Sequence, residues 1–149
     1  MKYIKRFENI VTSLTYSDQG LTVLPELPTE LTYLECNDNK LRELPILPNG
    51  LTYLECSHNN LTELTILPIS MKSLYCSYNG LDELPILPEG LIYLECSHNN
   101  LTELPILPES LKYLECSYNN KLPYNNLDQY KKWFAITYPE IVNSRKFNL

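Results

Sequence analysis

The residues best suited to chemistry are five cysteines at a constant interval of 20 residues: Cys36, Cys56, Cys76, Cys96 and Cys116. Thiols at regular spacing are candidate zinc ligands or candidate partners in disulfide bonds. A zinc site needs converging ligands, and a disulfide needs two side chains that point at each other. Which of these is possible depends on the elements that hold the cysteines.

The 20-residue interval is the period of a repeat that extends through most of the chain. Five copies begin at equivalent positions, Leu31, Leu51, Met71, Leu91 and Leu111. A degenerate copy at 11–30 precedes them. We therefore predict a repeat array over 11–120, between an N-terminal cap at 1–10, for which helix and strand both remain open, and a C-terminal cap at 121–149.

Alternation within each copy predicts a short parallel strand. In the copy LTYLECSHNNLTELTILPIS, Leu54 and Cys56 share one face, while Tyr53 and Glu55 share the other. Copies stacked about 4.8 Å apart would bury the leucine and cysteine columns between layers. The sequence thus predicts a solenoid with its strands on a concave face.

The rest of each copy predicts a turn and an extended return. An asparagine follows every strand, as Asn59 does in the second copy, and we expect its amide to pair with backbone groups of adjacent copies. Prolines such as Pro45 and Pro48 remove backbone donors and fix φ, so the convex side should be extended and polyproline-like. Thr65 interrupts the proline column, and we expect it at the surface.

This arrangement decides the candidate chemistry. Cysteines in one inward column have parallel side chains, which neither converge on a metal nor face each other for a disulfide, so we interpret them as buried free thiols. His58 and His98 would lie about 10 Å apart, too far to share a metal ion, and are interpreted as loop residues. We predict no metal, no cofactor and no catalytic site.

The pattern LxxLxCxxNxLxxLPxLPxx resembles the leucine-rich repeat in its short bacterial-effector form, as in the YopM and IpaH/SspH proteins. The LxYLECSxNxL copies are also similar to leucine-rich repeat proteins of giant DNA viruses. This resemblance implies a protein-binding solenoid. The IpaH/SspH proteins carry a separate ubiquitin-ligase domain with a catalytic cysteine after their repeats. The 29 residues after this array contain no cysteine, so that activity is not expected here.

The C-terminal cap is predicted to contain one amphipathic helix at about 126–137. Leu127, Tyr130 and Phe134 recur at helical spacing, and Asn126 is a candidate N-cap. Pro139 should end the helix. We expect this helix to cover the apolar end of the last repeat.

The outward strand positions form the candidate binding surface. Tyrosine on a rigid scaffold offers a large amphipathic contact area at a low entropic cost. The predicted partner-binding residues on the concave face are Tyr33, Glu35, Tyr53, Glu55, Tyr75, Tyr93, Glu95, Tyr113 and Glu115. Repeat duplication without any partner would also produce these columns, although stacked glutamates such as Glu95 and Glu115 repel each other.

Charge indicates the class of partner. The array carries 15 acidic and 4 basic residues, a net charge of −11, whereas the whole chain has −6. We therefore predict a non-enzymatic protein–protein interaction module whose partner has a basic patch, and neither a nucleic-acid nor a membrane partner. If the effector or viral resemblance holds, the partner is a host protein. The alternative is a structural or self-assembling repeat protein. We expect a monomer in the cytoplasm, of the host in the effector or viral case, since no secretory leader or membrane span is visible.

Overall fold

The computed structural model describes residues 11–119 and 121–146, so the predicted N-terminal cap at 1–10 lies outside the described residues. Over these residues, six three-residue strands form one parallel sheet in chain order, and two helices follow them. The predicted solenoid of parallel strands with a C-terminal helix is confirmed. The elements are β1 (Ser13–Thr15), β2 (Tyr33–Glu35), β3 (Tyr53–Glu55), β4 (Ser73–Tyr75), β5 (Tyr93–Glu95), β6 (Tyr113–Glu115), α1 (Leu127–Thr137) and α2 (Pro139–Lys146).

The core consists of the columns that alternation turns inward. The central leucine of each strand from β2 to β6 is buried, and so are all five cysteines, which are free thiols. Neighbouring strands pair without a register shift, so that Leu54 lies beside Leu34 on one side and Leu74 on the other. Each buried leucine contributes about 1.5–3 kcal/mol of hydrophobic stabilisation, which outweighs the low stability of strands only three residues long.

The return side of each layer contains neither helix nor strand over the described residues of the array, as its prolines predict. Each copy closes with a turn in which a proline carbonyl accepts the N–H of the residue three positions later, as Pro48 does from Leu51 at 3.0 Å. The expectation for Thr65 was wrong. Its hydroxyl is buried and has no hydrogen-bond partner among the described residues, because it occupies a half-buried position that a proline ring fills in the other copies.

The C-terminal helix α1 begins as its N-cap predicts, since the Asn126 side chain accepts the N–H of Gln129 at 3.1 Å. It ends at Thr137, before Pro139. The helix α2, for which Pro139 is the first residue, was not predicted from the sequence. Proline ends a helix but also favours the first position of the next one, where no backbone N–H is required.

The last layer of the array is covered by the segment that leads into α1. The Cys116 N–H donates to the Asn125 carbonyl at 2.8 Å, so a hydrogen-bonding position beside β6 is filled. Tyr124 and Tyr130 are buried, with their ring centroids 5.0 Å apart and their planes nearly perpendicular. Trp133 packs against both.

Candidate functional site

The asparagine after each strand holds the edge of the sheet in place. The Asn59 amide donates to the carbonyls of Cys36 and Cys56 at 3.0 and 3.1 Å, and its oxygen accepts the Leu41 N–H at 3.0 Å. One side chain therefore joins two consecutive copies. Equivalent bonds recur at Asn39, Asn79, Asn99 and Asn119.

This turn forces the residue before each asparagine into the left-handed region. Six non-glycine residues of the described part of the chain have φ between +53° and +57°: Asp18, which precedes Gln19 of the degenerate copy, and Asp38, His58, Tyr78, His98 and Tyr118, each of which precedes an asparagine. Such a conformation is costly for most side chains, but the asparagine bonds on either side of the turn maintain it. The result is a straight column of side chains at the rim of the sheet.

Four of these side chains form a continuous aromatic stack, here called the rim stack: His58, Tyr78, His98 and Tyr118. Successive ring centroids are 4.2, 4.1 and 4.2 Å apart, and the interplanar angles are 11°, 13° and 16°. The two histidines were interpreted from the sequence as loop residues, and the stack was not predicted. Their alternation with tyrosines in one column at 20-residue spacing was the available signal.

A groove of about 440 Å³ lies beside the rim stack. The serine column lines its floor, and a column of glutamates lines the side opposite the rim stack. The serine floor comprises Ser57, Ser77, Ser97 and Ser117, and the acidic wall comprises Glu55, Glu95 and Glu115. We call the space above the serine floor, between the acidic wall and the rim stack, the rim groove.

The predicted tyrosines form two groups on the outward face of the sheet. Tyr33 and Tyr53 stack with centroids 4.3 Å apart, and Tyr75 tilts toward Tyr53 at 5.4 Å. Tyr93 and Tyr113 form the second group, 6.2 Å apart and both more than 40% exposed. Ser73 replaces a tyrosine between Tyr53 and Tyr93 in the sheet register, which separates the groups.

The predicted glutamates differ in their hydrogen bonding. Glu35 accepts from the Tyr33 hydroxyl, which raises the pKa of that tyrosine. Glu55 accepts the Ser57 N–H at 2.9 Å, and Glu115 accepts from the hydroxyls of Ser117 and Ser97. These three carboxylates are therefore tied to the protein itself.

Glu95 is the exception. Within the described residues its carboxylate has no hydrogen bond and no ion pair. Its pKa is raised, first by burial and then by the charges of Glu55 and Glu115. The sheet register places Tyr75 beside Glu95, at the position that a glutamate occupies in the other copies from 31 onward. Glu95 is thus a half-buried carboxylate with no cationic partner in the described part of the chain.

Solved structures with the same architecture identify the fold. YopM from Yersinia enterocolitica WA-314 matches 65% of this chain at 45% identity with a TM-score of 0.65. A Shigella effector LRR domain matches 71% at 37% identity with a TM-score of 0.70. The chain is a leucine-rich repeat solenoid. YopM from Yersinia pestis, described as a leucine-rich effector protein, matches 64% of the repeat chain at 41% identity with a TM-score of 0.63.

The similarity is to parts of these proteins. The leucine-rich repeat chain covers 22% and 27% of the two YopM chains and 49% of the Shigella domain. No protein-family model and no curated protein matches it. The resemblance to proteins of giant DNA viruses stays a prediction.

In the segments 11–119 and 121–146, no group of three or more His, Cys, Asp and Glu side chains is arranged to hold a metal ion. Over the same segments, no helix has the length and apolar character needed to cross a membrane.

Proposed function

We propose that this leucine-rich repeat chain is a non-enzymatic module that binds a basic protein partner on the outward face of its sheet. The observation that carries the proposal is that exposed tyrosines share one rigid surface with a carboxylate that is unpaired among the described residues. Tyr93 and Tyr113 are 43% and 41% exposed, and Glu95 is in the same strand as Tyr93. Aromatic anchors of this kind dominate the energy of many protein interfaces.

Charge and similarity support the same proposal. The array has a net charge of −11, which attracts a basic protein surface and repels nucleic acid and anionic lipid. Two of the similar structures, from Shigella and Yersinia pestis, are named as effector proteins. By analogy, the partner is a host protein met in the host cytoplasm, and the repeat chain acts as a monomer.

The test is a binding measurement on a partner isolated from host cells with the wild-type chain. Tyr75→Ala and Tyr93→Ala should each weaken binding by about tenfold without unfolding the protein, because neither side chain is in the core. Ile86→Ala is the matched control, since Ile86 is 89% exposed on the return side. If both tyrosine variants bind as tightly as Ile86→Ala, the outward face is not the binding surface.

One observation favours self-assembly as a second candidate function. An isoleucine column on the return side is strongly exposed, with Ile46, Ile66 and Ile86 each about 90% accessible. Exposed apolar columns promote association between copies. Light scattering at micromolar concentration separates the candidates: a stable oligomer that Ile66→Ser and Ile86→Ser dissolve would favour self-assembly, whereas a monomer favours the binding module.

A further inference from the structure

We propose that the rim groove binds an extended basic segment of the partner and that one lysine or arginine of this segment pairs with Glu95. The inference rests on the proposed function and narrows it to one strip of the surface. The charged group of the partner is then recognised in the space between the acidic wall and the rim stack, and not beside the tyrosine groups.

The dimensions of the rim groove fit a short extended peptide. The groove crosses five layers, from Asn37 to Ser117. Four steps of about 4.8 Å give a length of about 19 Å, which corresponds to about six residues of extended chain at about 3.3 Å each. In such a chain, alternate side chains point the same way, so about three of them would face the acidic wall.

The acidic wall offers one carboxylate that is ready for a cation. Glu55 and Glu115 already accept hydrogen bonds from the protein, whereas Glu95 has none among the described residues. Glu95 also lies between the like charges of Glu55 and Glu115. A cation from the partner would offset the repulsion among these three carboxylates. A cation at this position therefore interacts with all three carboxylates while pairing directly with one.

The serine floor supplies donors for a peptide backbone. The hydroxyl oxygen of Ser57 accepts the Ser77 N–H at 3.1 Å, and that of Ser77 accepts the Ser97 N–H at 3.1 Å. Each hydroxyl can accept and donate at once, so both protons remain available to carbonyl groups of a bound segment.

The two inner rings of the rim stack, Tyr78 and His98, serve as a wall and not as a cation platform. The rings of Tyr78 and His98 are covered on both faces by their neighbours, so a cation cannot reach the negative face of either ring. Their edges face outward instead. No ring face of Tyr78 or His98 therefore competes with Glu95, on the other side of the groove, for the partner's cation.

The probe is an acetylated and amidated hexapeptide of alternating arginine and alanine, titrated into the 15N-labelled chain and followed by NMR. Amide shifts should concentrate at Ser57, Ser77, Glu95 and Ser97. Glu95→Gln should weaken binding by about fivefold, as expected for loss of one partly exposed charge pair. Glu103→Gln makes the same charge change on an exposed residue of the same copy and should weaken binding by less than about twofold. A peptide with citrulline in place of arginine should not bind.

The outcomes separate this inference from the proposed function. Equal weakening by Glu95→Gln and Glu103→Gln, shifts located outside the rim groove, or no binding at all would each overturn it. In any of these cases, a protein partner that still depends on Tyr75 and Tyr93 leaves the proposed function intact. A partner insensitive to both tyrosines refutes the proposed function instead.

Discussion

The side-chain oxygen of Asn99 accepts the backbone N–H of Leu81 at 3.0 Å. The two residues are 18 positions apart in sequence and belong to consecutive copies. The same Asn99 amide donates to the Cys76 and Cys96 carbonyls, both at 3.1 Å. A single buried side chain therefore links the turn of one layer to the backbone of the previous one.

Replacing Asn99 should destabilise the protein strongly. Asn99→Ala leaves the buried Leu81 N–H without its partner, and we expect a loss of about 2–3 kcal/mol in the free energy of unfolding. Asn100→Ala is the control, because Asn100 is exposed and makes one long side-chain bond, to the Gly80 carbonyl at 3.4 Å. Urea denaturation measures both. Similar midpoints for the two variants would contradict the structural role of Asn99.

Thr65 is a position where stability can be gained. Thr65→Val removes the unpaired buried hydroxyl and should stabilise the protein by about 1 kcal/mol. Thr65→Pro also restricts the unfolded chain, which adds about 0.4–1 kcal/mol. Calorimetry should give melting temperatures in the order Pro above Val above wild type. A proline variant that melts below wild type would mean that this return segment differs in backbone from the other copies.

The buried thiols should make the protein sensitive to alkali. Burial raises the pKa of Cys36 and Cys116 to about 12, and raises the pKa of the three cysteines between them well above the ordinary value. Above the unfolded pKa of about 8.5, the unfolded chain loses protons that the folded chain retains. The free energy of unfolding should thus stay level below this pH and then fall by up to about 1.4 kcal/mol per pH unit for each thiol.

Urea midpoints between pH 7 and 9.5 test this dependence, since tyrosines ionise mainly above that range. A thiol reagent provides the independent check: it should label the native protein slowly and the denatured protein completely. A flat stability profile to pH 9.5, or rapid labelling of two or more native thiols, would contradict the burial of the cysteine column.

The helix α1 should contribute stability through one face. Tyr130 is 7% exposed and packs against Tyr124, Trp133 and Phe134, whereas Ile136 on the same helix is 81% exposed. Tyr130→Ala should cost about 3 kcal/mol, while Ile136→Ala should change stability by less than about 0.5 kcal/mol. Thermal unfolding followed by circular dichroism distinguishes them. Equal melting curves for the two variants would show that α1 does not cover the last layer.

The sequence by itself determined the solenoid. A strict 20-residue period forces equivalent residues into register, and alternation within LxYLEC sends leucine and cysteine inward and tyrosine and glutamate outward. Proline excluded a helical return for the same local reason in every copy. These are properties of one copy and its period, so they can be read without coordinates.

Only the tertiary structure decided how the outward columns interact. The rim stack depends on a left-handed turn that the asparagine bonds impose between copies, and the isolation of Glu95 depends on which neighbouring groups reach its carboxylate. The burial of the Thr65 hydroxyl and the start of α2 at Pro139 likewise depend on surrounding atoms. The period specifies which residues are neighbours. Whether two neighbours stack or form a hydrogen bond depends on differences of a few tenths of an ångström in the distance between them, and these distances are set only when the layers pack together.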